Sequence, residues 1–422
     1  CCSKWYPGVE YAQRRNSKYD TMKFNRRIFS IAIFGSLVII IVAVVYFYFT
    51  DWQYNRTARN IIDKSGIEGG LIAHVGMNNA ELTSALHINN RYIVHGITRD
   101  IEKVRKARIF LRRQGQYGKV TVHHWRTKNL PYTDNLVSLL VLDEPDRVSK
   151  EEIIRVLSPE GIACVNEGNT WKILEKPRPA GLDKWTHYLH GPSNNPVSTD
   201  SEVGPPRSLQ WKSAPEWCRS HEYLSSFTTM VSDAKRVFYI FDDGLTGITG
   251  PKYYTSFVGP NPDNSLIGPE IPQKWTLYAR DAYNGVLLWK RSLKNWNDPE
   301  DSNYVVGRTR VTSRMQRTLV ADDGCLFMTF GDGGMINVLD AATGKTRNKI
   351  PGTRGTREIV YSEGTLYALL DPQEKNEQTR IVAANPENGN VLWDKPVENY
   401  LSNSLAVSND KLVFCTKKML IC

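Results

Sequence analysis

Leu277-Tyr278-Ala279-Arg280-Asp281-Ala282-Tyr283-Asn284-Gly285-Val286-Leu287-Leu288-Trp289 decides the fold of the second half of this chain, because its pattern returns twice. The second copy is Ile336-Asn337-Val338-Leu339-Asp340-Ala341-Ala342-Thr343-Gly344-Lys345-Thr346-Arg347, and the third is Ile381-Val382-Ala383-Ala384-Asn385-Pro386-Glu387-Asn388-Gly389-Asn390-Val391-Leu392-Trp393. Each is an apolar strand that runs into Asp or Asn, a side chain that bonds amides just ahead and opens a turn. Gly285, Gly344 and Gly389 then supply the positive φ that a tight hairpin needs. Trp289 and Trp393 follow on the returning strand and offer a large apolar surface to a neighbouring unit; Arg347 stands at that point in the second copy.

The turn glycines lie 59 and 45 residues apart, close to the spacing of four-stranded repeats. The alternating runs Arg236–Phe241, Leu326–Thr329, Thr365–Leu369 and Lys411–Cys415 supply further strands, and the polar stretch 294–312 accounts for the longer gap. The units resemble the repeats of pyrroloquinoline-quinone dehydrogenases and of the BamB-type assembly scaffold. That resemblance implies a quinoprotein-like β-propeller over 207–422. It also implies either an interaction surface without catalysis or a quinone held with Ca2+ near the axis. Three or four blades fit in this length, fewer than a closed ring needs, so the expectation is an incomplete propeller in a fragment of a longer protein.

Upstream, Pro177, Pro179, Gly191, Pro192, Pro196, Gly204, Pro205 and Pro206 mark 177–206 as an irregular linker. Within it, Asp183-Lys184-Trp185-Thr186-His187-Tyr188-Leu189-His190 sets two imidazoles three residues apart beside a carboxylate. On a helical turn His187 and His190 would meet one metal ion, which makes them candidate ligands.

Residues 69–176 alternate strand and helix. Strands are expected at 71–75, 91–95, 119–123, 136–142 and 162–166, with helices at 80–86, 101–114 and 149–157, an order that implies a mostly parallel, Rossmann-like sheet. Leu130-Pro131-Tyr132-Thr133-Asp134-Asn135, the strand after it, and Arg155-Val156-Leu157-Ser158-Pro159-Glu160-Gly161 resemble the second half of a class I S-adenosylmethionine-dependent methyltransferase. The resemblance implies a cofactor turn after the first strand, here His74-Val75-Gly76-Met77-Asn78-Asn79-Ala80. Gly76 matches the family's pattern, and Asn78 and Ala80 replace later glycines. Thr98 stands where the ribose-binding acidic residue is expected, with Asp100 two positions on. Gly76, Asn78 and Asp100 are therefore the candidate cofactor residues, and these departures point to a degenerate domain. His123 and His124 are adjacent on a strand, so their rings point to opposite faces and do not share a metal.

Residues 28–50 contain no charge and are long enough, at about 1.5 Å per residue, to cross a bilayer as a helix. Seven basic and two acidic residues precede them in 1–27, which is half of the chain's net charge of +10. The expectation is a single-pass inner-membrane anchor with a cytoplasmic basic tail, a juxtamembrane stretch at 51–68, and the bulk of the chain on the periplasmic side. Because the charge is local, nucleic acid is not an expected partner. The seven cysteines form no Cys-x-x-Cys spacing, so they read mostly as buried free thiols, with a disulfide of unnamed pairing the alternative for an exported chain.

Anchor, methyltransferase-like domain, Trp-Thr-His linker and quinoprotein-like repeats together resemble envelope proteins of planctomycete-type bacteria. The function expected is a membrane-anchored binding scaffold with a protein partner at the propeller. A quinone-dependent dehydrogenase using Ca2+ and an S-adenosylmethionine-dependent methyltransferase are the alternatives.

Overall fold

The computed structural model describes residues 41–42, 45, 49–168, 170–205, 208–214, 227–244, 274–294, 296 and 315–422. Two compact units divide at Asn60 and Ile61. In the first, residues 41–42, 45 and 49–60 are helical, and most of the expected anchor at 28–50 lies outside the described residues. Among the described residues no helix is long and apolar enough to cross a membrane. The second unit carries everything that follows.

Its first layer is a six-stranded sheet. The strands are β1 (Gly70–Val75), β2 (Tyr92–Thr98), β3 (Val120–His124), β4 (Val137–Leu142), β5 (Leu157–Asn166) and β6 (Trp171–Glu175), in the order β3-β2-β1-β4-β5-β6. The first five run parallel and β6 is antiparallel. Helices α1 (Ala80–Ala85), α2 (Ile101–Arg113) and α3 (Lys150–Val156) make the crossovers. β4 is buried along its whole length, which explains why it is apolar on both faces apart from Ser138. Asn79, Asp100 and Ser149 cap the three helices with side-chain oxygens, so each helix begins where a polar residue interrupts the apolar pattern. Strand β6, Trp-Lys-Ile-Leu-Glu, was not among the expected elements; its largely exposed side chains mask the alternation.

Four antiparallel sheets follow. The first joins β7 (Phe227–Ser232), β8 (Arg236–Asp242), β9 (Trp275–Asp281) and β10 (Leu287–Ser292). The second joins β11 (Leu319–Asp322), β12 (Cys325–Met328), β13 (Asn337–Asp340) and β14 (Thr346–Lys349). The third joins β15 (Thr356–Ser362), β16 (Thr365–Leu370), β17 (Arg380–Ala384) and β18 (Val391–Pro396). The last joins β19 (Ala406–Ser408), β20 (Lys411–Cys415) and β21 (Leu420–Ile421). Consecutive sheets share apolar layers: Phe238 and Leu277 meet Leu326 and Leu339, Phe327 and Val338 meet Ile359 and Leu366, and Leu369 and Ile381 meet Val407 and Phe414. Sheets thus pack in chain order, and closure into a ring is not seen among the described residues. The polar insertion expected at 294–312 lies almost wholly outside them.

The three repeated hairpins occupy one equivalent place, between the third and fourth strands of successive sheets. Asp281 Oδ1 accepts from the Tyr283 and Asn284 amides at 2.9 and 3.1 Å, Asp340 Oδ1 from the Thr343 amide at 2.8 Å, and Asn385 Oδ1 from the Glu387 amide at 2.8 Å. Gly285, Gly344 and Gly389 have φ of +71°, +68° and +77°. Each turn also receives a side chain from a segment earlier in the chain. Trp289 Nε1 donates to Ala341 O at 2.9 Å, and Trp211 Nε1 donates to Ala282 O at 3.1 Å. Trp211 therefore acts as the indole of a preceding unit, a match the sequence repeats did not disclose. Where the second unit lacks its Trp, Asn348 Nδ2 reaches the equivalent Pro386 O at 3.3 Å.

Trp289 lies so close over the second turn that a Cβ on Gly344 would sit 2.6 Å from its ring, whereas a Cβ on Gly364, also at positive φ, meets nothing within 4 Å. Gly364→Ala is expected to cost about 1 kcal/mol for the backbone conformation alone. Gly344→Ala should lose roughly 1–3 kcal/mol more from overpacking. Urea midpoints of the two variants test this; equal midpoints would show that the indole does not dock on that turn.

Candidate functional site

The candidate cofactor residues gather at the carboxyl edge of β1 and β2, where parallel sheets with crossover helices present loop residues. Gly76 ends β1 with φ of +78° and is the residue of its turn that takes the left-handed conformation; Asn78 does not. A Cβ on Gly76 would lie 2.9 Å from the Glu144 side chain, so its lack of a side chain is needed for β4's loop to close over β1. Asn78 Oδ1 accepts from Lys103 Nζ at 2.9 Å. Asp100 Oδ1 accepts from the Glu102 and Lys103 amides at 2.8 and 3.2 Å. The amides of Lys103 and then Glu102 hold its carboxyl below the ordinary aspartate range. Lys103 thus links Asn78 to the Asp100 cap, while Gly76 lies against Glu144. Asp100 is engaged as a helix cap through one oxygen, and Lys103 covers the asparagine that replaces a glycine. The fit to S-adenosylmethionine is therefore partial: Gly76 carries no side chain and Asp100 keeps one carboxylate oxygen outside its cap, whereas Asn78 stands in the turn and bonds Lys103.

Sequence reasoning missed the buried histidine beneath this edge. His74 Nε2 donates to Asp143 Oδ2 at 2.9 Å and Nδ1 lies 2.8 Å from Thr83 Oγ1, joining the ends of β1 and β4 to α1. A polar residue inside an otherwise apolar strand was the available signal. On β2, His95 pairs with His123 at 2.7 Å (Nε2 to Nδ1), and the buried Tyr132 hydroxyl meets its other nitrogen at 2.9 Å. Burial, then the neighbouring His123, pushes His95 down to about 4. His124 turns the other way and bonds Arg99 O at 2.9 Å, as strand geometry requires of adjacent residues.

The opposite edge of the parallel sheet is closed by the first repeat hairpin. Ser138 Oγ donates to Asp281 Oδ2 at 3.0 Å, and Asn284 Nδ2 donates to Leu136 O at 3.1 Å and Ser138 Oγ at 2.8 Å. Asp281 is largely buried, and that burial raises its carboxyl above the usual range against the hydrogen bonds from the Tyr283 and Asn284 amides. Lys235 and Arg236 pair with Glu160 and Glu68 around a cavity of about 70 Å³.

The expected linker is bonded to each of the four antiparallel sheets. The Ser232 amide donates to Trp185 O at 2.7 Å, the Ala321 amide to Thr186 O at 2.9 Å, the Tyr361 amide to His187 Nε2 at 3.1 Å, and the Val407 amide to Pro192 O at 2.8 Å. Those donors belong to β7, β11, β15 and β19, the first strands of the four sheets in turn. One short segment therefore runs past four edges that converge on it.

His187 and His190 take part without sharing a point in space between their ring nitrogens. The expected helical turn is instead a β-bridge, with the His187 amide on His190 O at 3.1 Å and His190 at φ of +69°. Because His187 Nε2 accepts, its proton is on Nδ1 and donates to Thr186 Oγ1 at 2.7 Å. His190 Nε2 donates to Asp183 Oδ2 at 2.7 Å. Burial works against the Asp183 charge, and hydrogen bonds from Ser198, the Thr199 and Lys184 amides and His190 outweigh it, holding the carboxyl well below the usual range. Both rings are thus committed to the turn, and His221 lies outside the described residues. Among the described residues no group of three or more His, Cys, Asp or Glu side chains could hold a metal ion.

No protein-family model and no curated protein matches this chain. Solved structures resemble its α/β part. One is an S-adenosylmethionine-dependent methyltransferase-type protein of Methanococcus maripaludis, at 20% identity over 27% of this chain and 54% of the other, with a TM-score of 0.25. Another is the [4+2]-cyclase SpnF, at 27% identity over 26% and 43%, TM-score 0.24. A third is geranyl diphosphate C-methyltransferase from Streptomyces coelicolor A3(2), at 15% identity over 26% and 44%, TM-score 0.25. The chain spans about half the length of the structures it matches. The α/β part has a Rossmann-like, mostly parallel sheet in the order β3-β2-β1-β4-β5-β6.

Burial, then the charge of His190, lowers His187 to about 3. A histidine whose folded pKa lies below its unfolded value near 6.5 stabilises fully above pH 6.5 and loses that contribution as pH falls toward the folded pKa. The same sign holds for His95. Stability should therefore decline between about pH 6.5 and 4. His95→Gln with His187→Gln should be weaker at pH 7.5 but flatter across that range. Urea midpoints measured at each pH decide it; an unchanged acid slope in the double variant would contradict the assignment.

Proposed function

We propose that this chain is a membrane-tethered binding scaffold, with a quinoprotein-like propeller arc as its interaction surface and the methyltransferase-like domain as a rigid platform. The observation that carries this reading is the use made of the buried ionisable groups. His74 with Asp143, His187 with Tyr361, and Asp281 with Ser138 all join one segment of the chain to another. Glu358 does the same: it accepts from Tyr400 Oη at 3.0 Å and the Asn403 amide at 2.5 Å, tying β15 to the loop before β19. Groups held in this way support architecture rather than turnover. The uncharged stretch 28–50, with its basic flank, supports a tether that leaves the sheets on the periplasmic side. A quinone with Ca2+ near the axis is less well supported, since residues 185–192 lie against the first strands of the sheets, where an axial ligand would sit.

A second reading, S-adenosylmethionine binding, is favoured by one observation: Gly76 at positive φ with Asp100 beside it at the carboxyl edge. Gly76 would admit the methionine moiety and the outward Asp100 oxygen would take the ribose hydroxyls.

Crosslinking pull-downs with the full chain should recover a stable, stoichiometric protein partner. Failure to find one, together with turnover of alcohols or sugars on adding quinone and Ca2+, would replace the scaffold with a dehydrogenase. Titration calorimetry with S-adenosylmethionine decides the second reading. Asp100→Asn keeps the helix cap while removing the charge, so binding that weakens in this variant supports a retained cofactor site, and no heat in the parent protein eliminates it.

A further inference from the structure

The charge that remains outside the N-terminal tail is not spread evenly. Residues 99–128 hold ten basic and two acidic side chains, a local charge of +8, more than the +5 that 28–422 carries as a whole. Helix α2 contributes six of those cations against Glu102. Among the described residues, Arg105 with Glu102 at 2.7 Å is the only ion pair that a cation of this segment makes. Its partners otherwise are neutral: Lys103 bonds Asn78, Arg108 bonds Val122 O, and Arg112 lies over the Tyr117 ring at 5.1 Å.

Helix geometry arranges what is left. Val104, Ala107 and Leu111 face the sheet and are buried. On the outward face Ile109 is 52% exposed, and its i±3 and i±4 neighbours are Arg105, Lys106, Arg112 and Arg113, all exposed. Ile101, one end of the same helix, is 40% exposed. An aliphatic side chain ringed by four cations is a poor solvent surface, because the isoleucine gains nothing from water. It is equally poor for a polyanion groove, where stacking rings rather than branched alkyl chains meet bases. The headgroup region of an anionic bilayer suits both parts: phosphates take the guanidinium and ammonium groups, and the alkyl chain enters the acyl boundary.

We propose that the outer face of α2 is an anionic-lipid-binding surface that lays the α/β domain against a membrane rich in acidic phospholipid. This contact is separate from the tether proposed at 28–50, and salt separates them: an apolar anchor resists salt, while attraction between cations and a charged surface is screened within about a Debye length.

The test uses the full chain in lipid nanodiscs, with Ile109→Cys labelled by an environment-sensitive fluorophore and brominated lipids as quenchers. Phosphatidylglycerol nanodiscs should quench the probe, neutral phosphatidylcholine nanodiscs should not, and 0.5 M salt (~3–5 Å screening length) should abolish the effect while the chain stays in the disc. Arg105→Glu, Lys106→Glu, Arg112→Glu and Arg113→Glu combined should bring quenching down to the neutral-lipid level, with unchanged far-UV circular dichroism. Equal quenching in both lipids, no quenching in either, or a response to added double-stranded DNA in place of phosphatidylglycerol would overturn the proposal. Salt-induced release of the whole chain would count against the tether instead.

Discussion

Four sheets hold together here because four backbone amides, one from the first strand of each, find acceptors on a single crossing segment. Ser232, Ala321, Tyr361 and Val407 donate to Trp185 O, Thr186 O, His187 Nε2 and Pro192 O. The inner edge of an antiparallel sheet presents unpaired donors, and leaving them buried without partners costs about as much as losing the bonds themselves. Residues 185–192 answer that need without forming a strand of their own. Three of the four acceptors are main-chain carbonyls, and the fourth is an imidazole held neutral by burial.

Away from that segment the sheets are joined by a second contact that repeats. An indole or an amide from earlier in the chain caps each turn, so Trp211, ahead of the first antiparallel sheet, and then Trp289 and Asn348 reach Ala282, Ala341 and Pro386 in turn. The first of these turns has a second use. Its Asp281 and Asn284 also seal the lower edge of the parallel sheet through Ser138, and Gly70 has room for no side chain because Ser138 Oγ and Asp281 Oδ2 approach it. The α/β domain is thereby docked by its amino edge, which leaves its carboxyl edge, and the basic face of α2, pointing away from the joint.

Much of this was legible in the residues. The apolar strands, the three helices and the repeated hairpins follow from periodicity and from Asp, Asn and Gly at fixed offsets in the turns, whereas the Asn79 and Asp100 caps were not read. The places of Asn78 and Asp100 were also readable, but not that Asn78 bonds Lys103 and Asp100 caps α2. The basic face of α2 was hidden by averaging: +8 in thirty residues vanishes when set against a nearly neutral body. The paired histidines of 183–190 were misread as a helical turn because spacing three apart says nothing of backbone once Gly191 and Pro192 bend the chain.

By itself the sequence determined the local elements and the repeating unit, since those depend on side-chain period, caps and turn chemistry within a few residues. Only the tertiary structure decided what the linker does, which residue serves where the second repeat lacks its tryptophan, and which sheet edge the first hairpin closes. Each of these joins groups tens to hundreds of positions apart, and a hydrogen bond between such groups leaves no trace in the spacing of either one.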